Sequence, residues 1–467
     1  MSNIISYGLA LPKYRISDET LTAGKPRKSA KRTVVYTDED VLTLAYEAAF
    51  HCLENTADSS KPEAVFFSTT SPVFKGRYHA SQLSDWLNLP HGLLALDFCS
   101  SSRSGTDALI MADRLITAGT IKSALVVASD GSFPEIGNEL KDHRGHGACA
   151  IVLGTEKGMA FIDFTKSMDS GFADVFNYKT YPVNYDSRFG KDAGLKNDFA
   201  LALDTWQAHL NNKKKASFRF ILNANAAKVL KGQIMKAGIN EQVESDVLLS
   251  ETGHLGAAHA LFRLIDSLKN VGTPHVLFDA CNGINIVEYS VQKSTKIDWA
   301  YYWNLADNVR TYQDYLLLRK AAATGRDIEV KDMFSSEMIS EREKESLIHL
   351  RAYRCKKCNS IFYLRTARCK HCHESTFDEL TLSRTGEIYT YTNEHYYPAS
   401  FPPVVMLVMN LDSGGRMTVQ QTDDMYKENE NLIGLTGELV LRKMNEHDNK
   451  PNYFWKCRIG GVKNIKG

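Results

Sequence analysis

The feature that most restricts the fold is a repetition within the first part of the chain. A fixed offset of 152 residues lays Ala108-Leu109 on Ala260-Leu261, Leu125 on Leu277, Gly131 on Gly283 and Ser102 on His254. Around both sets the order is the same. A glycine-rich approach leads into apolar residues at helical spacing, then a turn with glycine, an apolar strand-like run and a second strand. Two copies of one α/β unit predict a pseudo-twofold body with a polar residue at the start of each central helix. The flanking sequence agrees. "EAVFFSTTS" and "KSALVVASDG" are short β-rich runs, whereas "DVLTLAYEAAFHCLENT" and "GTDALIMADRLITAG" carry helical periodicity. Such alternation argues for an α/β fold with a mostly covered sheet.

At 467 residues the chain needs two or three domains. After about Val291 the texture changes to charged helical segments, and then to "YRCKKCNSIFYLRTARCKHCHES". Cys355-x2-Cys358 and Cys369-x2-Cys372 bring four thiolates within reach of one tetrahedral Zn²⁺. Four protein ligands leave no position for substrate, so the metal is expected to be structural. His371 and His373 are expected to be solvated bystanders. From Ser383 onward, "GEIYTYTNEHYY", "PPVVMLVMNL" and "GLTGELVLRKM" are short strands separated by Gly, Pro and Asp clusters, which predicts a small OB-like β-barrel. The barrel segment carries ten Lys plus Arg against ten Asp plus Glu, and the whole chain has a net charge of +1. Neither supplies the positive field that nucleic acid or an anionic membrane requires. From the opening residues no secretory leader is expected, and no apolar run in the sequence approaches the length of a bilayer span. With the remaining five cysteines scattered, a reducing, cytoplasmic setting is expected.

Several pieces together resemble the thiolase superfamily, in its branch of β-ketoacyl-acyl-carrier-protein synthase III and HMG-CoA synthase. They are "ISYGLALPKYRIS", "FFSTTSPVFKGRYHASQLSDWLNLP", "ALDFCSSSRSGTDAL", "SALVVASDG", "GHGACAIVLG" and "FDACNGIN". The C-terminal part resembles the zinc-ribbon plus OB-fold family that accompanies such enzymes on acyl-CoA. The resemblance implies a duplicated five-layer αβαβα domain over residues 1–293, a helical linker over 294–352, a rubredoxin-like zinc ribbon over 353–381 and an OB-fold over 382–467. It also implies a homodimer, a CoA or acyl-carrier-protein thioester as substrate, and a barrel beside the acyl-CoA entrance. A partner enzyme in a biosynthetic complex and a place in fatty-acid, polyketide or related metabolism go with it.

In that family a cysteine opens the first central helix, five residues after an Asp and seven before a Leu. Here Asp97 plus five is Ser102, and Leu109 follows seven later. Cys99 lies three residues before, and its ordinary role is that of a small packed residue. The family's "F-I-P-His" falls on Phe220-Ile221-Leu222-Asn223, so Asn223 stands at the first catalytic histidine. "GHLGAA" puts His254 where synthase III has asparagine. Thr70 replaces the glutamate acid of HMG-CoA synthase, which argues against that enzyme's own reaction.

A serine cannot be ionised by a helix dipole as a thiol can, and needs a base. The expectation is therefore Ser102 acylated by a thioester, His254 as its base and Asn223 as positioner of the oxyanion. The competing reading of Ser102 is an N-cap, a role open equally to Ser100 and Ser101. His254 can instead cap its helix or bond in the core. His146 suits a surface or strand-edge role, and "NNKKKAS" (211–217) a solvated loop. Two other functions stand beside acyl transfer. One is a non-covalent aldolase- or lyase-type reaction on acyl-CoA, the other a catalytically silent subunit of a thiolase-like complex.

Overall fold

The computed structural model describes residues 2–22, 30–137, 139, 143–169, 175–176, 185–186, 188–210, 218–223, 227–236, 242–320, 337–397, 399–426, 431–447 and 450–460. Ten strands form one sheet. In chain order they are β1 (Asn3–Ala10), β2 (Ala64–Thr69), β3 (Leu94–Cys99), β4 (Ser123–Asp130), β5 (Gly147–Gly154), β6 (Ala160–Asp169), β7 (Arg219–Asn223), β8 (Gln242–Val243), β9 (His275–Ala280) and β10 (Gly283–Val291). The order across the sheet is β8-β7-β9-β10-β6-β1-β5-β4-β2-β3. It reads the same from either end once the halves are matched. Each half has two antiparallel steps, β1-β5-β4 or β6-β10-β9, and then two parallel ones, β4-β2-β3 or β9-β7-β8. The halves join where Asn3 and Ile4 of β1 pair with Phe161 and Ala160 of β6. This is the pseudo-twofold that the repetition predicts.

Alternation along each strand sets the layers, because successive side chains point to opposite faces. Ala64, Phe66, Val126, Ile151 and Leu277 face a core shared with helices α2 (Ser104–Thr117) and α5 (His259–Ser267). Val65, Phe67, Val127 and Val152 face the opposite way, onto α1 (Val41–Glu54). On the far side, Phe220, Val276, Phe278 and Ile286 pack on α3 (Arg188–Leu210) and α4 (Ala227–Lys236), through Phe199, Trp206 and Leu230. The stack is α1, first half-sheet, α2 with α5, second half-sheet, α3 with α4, which gives the five layers. The repeat register ends at Asp130. Gly131 begins a 131–146 excursion before β5, whereas β9 and β10 are joined tightly through Cys281-Asn282, with Asn282 at φ +53°.

The segment after β10 holds short helices Trp299–Leu305, Tyr312–Leu318, Glu337–Arg342 and Lys344–Leu347. The ribbon follows as a three-stranded sheet centred on Arg351–Cys355. Five strands, Thr385–Glu394, Val404–Leu411, Arg416–Thr422, Thr436–His447 and Lys450–Ile459, close into a barrel in the order 1-2-3-5-4. The barrel is not tethered loosely. Its Leu441, Tyr453 and Trp455 belong to the same apolar cluster as Tyr46 and Trp86 of the first half. Buried ions cross the same boundary. Arg442, wholly buried, lies 2.9 Å from Glu39, 3.3 Å from Asp423 and 3.6 Å from both Asp38 and Glu47. Lys456 meets Asp38 at 2.8 Å and Arg458 meets Glu47 at 2.8 Å. Among the described residues no helix is long and apolar enough to cross a membrane.

Candidate active site

The approach to α2 runs off the end of β3. Asp97 lies in that strand and does not face a substrate. Its carboxylate accepts the backbone N–H of His79 (2.8 Å) and Ala80 (2.8 Å) and pairs with His79 Nδ1 at 2.7 Å, fixing the helix His79–Trp86. Cys99 ends the strand, exposed, its thiol pushed up by partial burial and by Asp97 and Asp130. Such a thiol is not activated. Ser100 is exposed at φ +90°.

The three serines then divide their duties. Ser101 Oγ accepts the Arg103 N–H (3.2 Å) and donates to the Cys281 carbonyl (3.3 Å), so it serves the turn and ties it to the second half. Ser104 opens α2 with its Oγ accepting from Ser101 N–H (3.4 Å). Ser102 is half-buried, and among the described residues its hydroxyl makes no hydrogen bond. The N-cap position falls on Arg103 and no side chain caps the helix, so none of the three serines takes that role. Gly105, three positions on, presses against the second half. A Cβ there would lie 2.2 Å from the Ala257 carbonyl oxygen, so only glycine allows this approach.

His254 reaches the same junction from the other half. Its backbone bonds His143 O (2.7 Å) and Gly145 N (3.1 Å), which pins it to the 131–146 excursion. Its ring Nδ1 accepts the Gly256 N–H at 3.1 Å. A neutral imidazole whose Nδ1 accepts carries its proton on Nε2. Burial, with His259 beside it, lowers its pKa to about 3, so the ring stays neutral. As placed, the ring carries a hydrogen on Nε2 and has no lone pair there for a serine. No hydrogen bond joins His254 to Ser102. Asn223 ends β7, opposite Asp279 of the parallel neighbour β9, and its side chain lies outside the described residues.

Other residues resolve into supports. Thr70, where the acid of HMG-CoA synthase falls, donates to Asp130 (2.8 Å), which also takes the Ala257 N–H (2.9 Å) and the Ser71 hydroxyl. His146 is buried, not at the surface. It accepts the Val35 N–H on Nδ1 (2.9 Å) and bonds Ser132 O through Nε2 (3.2 Å), and burial lowers its pKa to about 4. The 211–217 run and most of "FADVFNYKTYPVNYDSRFGKDAG" lie outside the described residues. A cavity of about 820 Å³ opens away from Ser102, between β1, residues 293–307, α1 and Arg458–Gly460 of the barrel.

In the ribbon, the sulfurs of Cys355, Cys358, Cys369 and Cys372 all lie within 4.8 Å of one another, with the Cys355–Cys372 and Cys358–Cys369 pairs at 3.4 Å. Four thiolates at Zn–S distances of about 2.3 Å occupy such a cluster, so the residues fit a structural zinc. The metal would cross-link two turns and offer no open position.

Comparison with known proteins follows this division. The family described as "ChsH2, rubredoxin-like zinc ribbon domain" matches residues 342–378. A structure of HMG-CoA synthase complexed with CoA superposes with a TM-score of 0.59 at 16% identity, covering 72% of this chain and 94% of that one. The 3-oxoacyl-(acyl carrier protein) synthase III of Pseudomonas aeruginosa gives 0.51 at 21% identity, covering 63% and 99%. The fold of the first part is the thiolase-like one that these synthases share. Sequence relatives of this thiolase-like chain include the hydroxymethylglutaryl-CoA synthase of Caldivirga maquilingensis, 30% identical over 205 residues. That match spans 41% of this chain and 59% of the relative's length. The Pyrobaculum aerophilum synthase is 22% identical over 347 residues, spanning 66% of this chain and 99% of the relative.

Sequence reasoning missed His259 and Asp246, which hold His254 from behind. The signal was faint: a second histidine five residues after the first in "GHLGAAH", and an aspartate in a stretch with no motif.

Proposed function

We propose that the protein is an acyltransferase of the condensing-enzyme type, taking an acyl group from a CoA or acyl-carrier-protein thioester onto Ser102. The observation that carries this reading is the half-buried Ser102 hydroxyl, unengaged among the described residues, in the turn that leads into α2 between Ser101 and Ser104, both of which are engaged. The thioester carbonyl oxygen would lie against His254 Nε2–H, with Asn223 at the end of β7 as a second polar contact, because charge developing on that oxygen calls for preorganised donors. The Ser102 oxygen forms the ester bond and the carbon–sulfur bond breaks, with the departing thiolate itself serving as the base that takes the hydroxyl proton. His254 therefore acts as donor in this reading, not as the base. Zinc stays structural, and a homodimer would form through the free edge of β3, which is less covered than the interior strands.

The tautomer of His254 favours a second reading, in which the donor polarises a thioester carbonyl without any covalent step, as in an aldolase or lyase. Intact-mass measurement after incubation with a panel of acyl-CoAs separates the two. An acyl adduct on wild type, absent from Ser102→Ala, supports the seryl intermediate. Product without adduct supports the non-covalent reaction. No turnover with any thioester leaves a silent subunit, and refutes both.

A further inference from the structure

We propose that Asp246 is the positioning residue of this site, holding both of its second-half members through one carboxylate. The proposal rests on the reading of His254 as a donor to the thioester oxygen. His259, wholly buried, lies with Nε2 2.8 Å from Asp246 Oδ2, and its Nδ1 accepts the Leu255 N–H at 3.3 Å. The His259 ring therefore donates to the carboxylate through Nε2. The His254 ring stacks on it, with centroids 4.4 Å apart and planes 18° from parallel. His254 is thus fixed on one face by that stack and in its own plane by the Gly256 N–H.

The same Asp246 oxygen lies 3.1 Å from Arg263 Nη1. That guanidinium donates to the carbonyl of Leu222, the residue before Asn223, at 3.4 Å, and to the Glu244 carbonyl at 3.1 Å. The second carboxylate oxygen accepts the Leu249 N–H at 3.2 Å. One anion therefore links the ring behind His254 to the end of the strand that carries Asn223. Burial alone would raise the acid's pKa, but the His259 hydrogen bond and the charge of Arg263 hold it below the usual carboxylate range. None of these contacts touches a substrate position, so Asp246 and His259 act through their neighbours.

The test uses full-length protein with ¹⁵N-labelled histidine, read by two-bond proton–nitrogen spectra, beside thioester kinetics. In wild type His254 should show a single Nε2–H tautomer. Asp246→Asn should mix the tautomers of His259, shift the His254 ring signals through the stack, and lower kcat about tenfold or more, with KM little changed, since small misplacements of a polar group are costly. Asp246→Glu should restore part of kcat, and His259→Phe, which keeps a stacking ring, should retain more than His259→Ala. Unchanged His254 spectra in both Asp246→Asn and His259→Ala would overturn the proposal, even if melting fell, because that marks a purely structural acid. If the spectra respond but no thioester turns over in wild type, positioning stands and the functional reading fails.

Discussion

Replacing Arg442 by methionine tests how the barrel is held to the first half. The guanidinium is wholly buried among Asp38, Glu39, Glu47 and Asp423. Beside it, Lys456 meets Asp38, and Arg458 meets both Glu47 and Glu438. Without Arg442, Asp38 keeps Lys456 and Glu47 keeps Arg458, whereas Glu39 and Asp423 lose the cation that compensates them. Removing one partner of a buried ion pair costs about 3–5 kcal/mol, because it strands the other charge away from water. Burial, only partly opposed by Arg442, already pushes Glu39 up to about 8. In Arg442→Met Glu39 will sit higher still, so the folded state will bind more protons than the unfolded state. Stability then falls as pH rises. Urea unfolding at pH 5.5 and 8.5 should show a deficit of about 3–5 kcal/mol that is larger at pH 8.5. A deficit below about 1 kcal/mol, or one larger at pH 5.5, would refute the reasoning.

Gly105→Ala would normally gain about 0.5–1 kcal/mol in a helix, but here the methyl meets the Ala257 carbonyl. A loss of about 1–3 kcal/mol in chemical unfolding is expected, and a gain would show that the halves do not touch as described. Stripping zinc with a chelator, or Cys369→Ser, should unfold the ribbon, read as lost amide protection over 342–378, while the ten-stranded sheet keeps its own protection. His51 gives a pH signature. Burial alone would lower its pKa, but bonds to Glu47 and Glu54 carry it up to about 9. Its stabilisation is full below about 6.5 and fades as pH rises through about 9, so the difference between wild type and His51→Gln should shrink over that window.

Much of this architecture was legible because it depends on spacing. Two C-x-x-C pairs can close only on one centre, and the offset of Ser102 on His254 follows from helices and strands recurring in the same order. Spacing cannot say which serine caps. Ser100, Ser101 and Ser102 are chemically alike, yet the cap position falls on Arg103, and it is Ser101 that bonds the Cys281 carbonyl far along the chain. Nor can it give a tautomer. His254 read as a base because imidazole usually is one beside a serine, and the Gly256 N–H that assigns its proton is a backbone group without side-chain identity. Asp246 was invisible for a similar reason: its partners His259 and Arg263 share a helix, but its own position is set by a turn.

The docking of the barrel has a consequence for how the polypeptide is made. Asp38 and Asp40 wait for Lys456 and Tyr453, partners more than 400 positions downstream. A ribosome must therefore have made the last barrel strand before the apolar face around Tyr46 and Trp86 gains its cover. Products that stop short of the last strands will carry that face bare, and should be the species that chaperones hold and proteases clear.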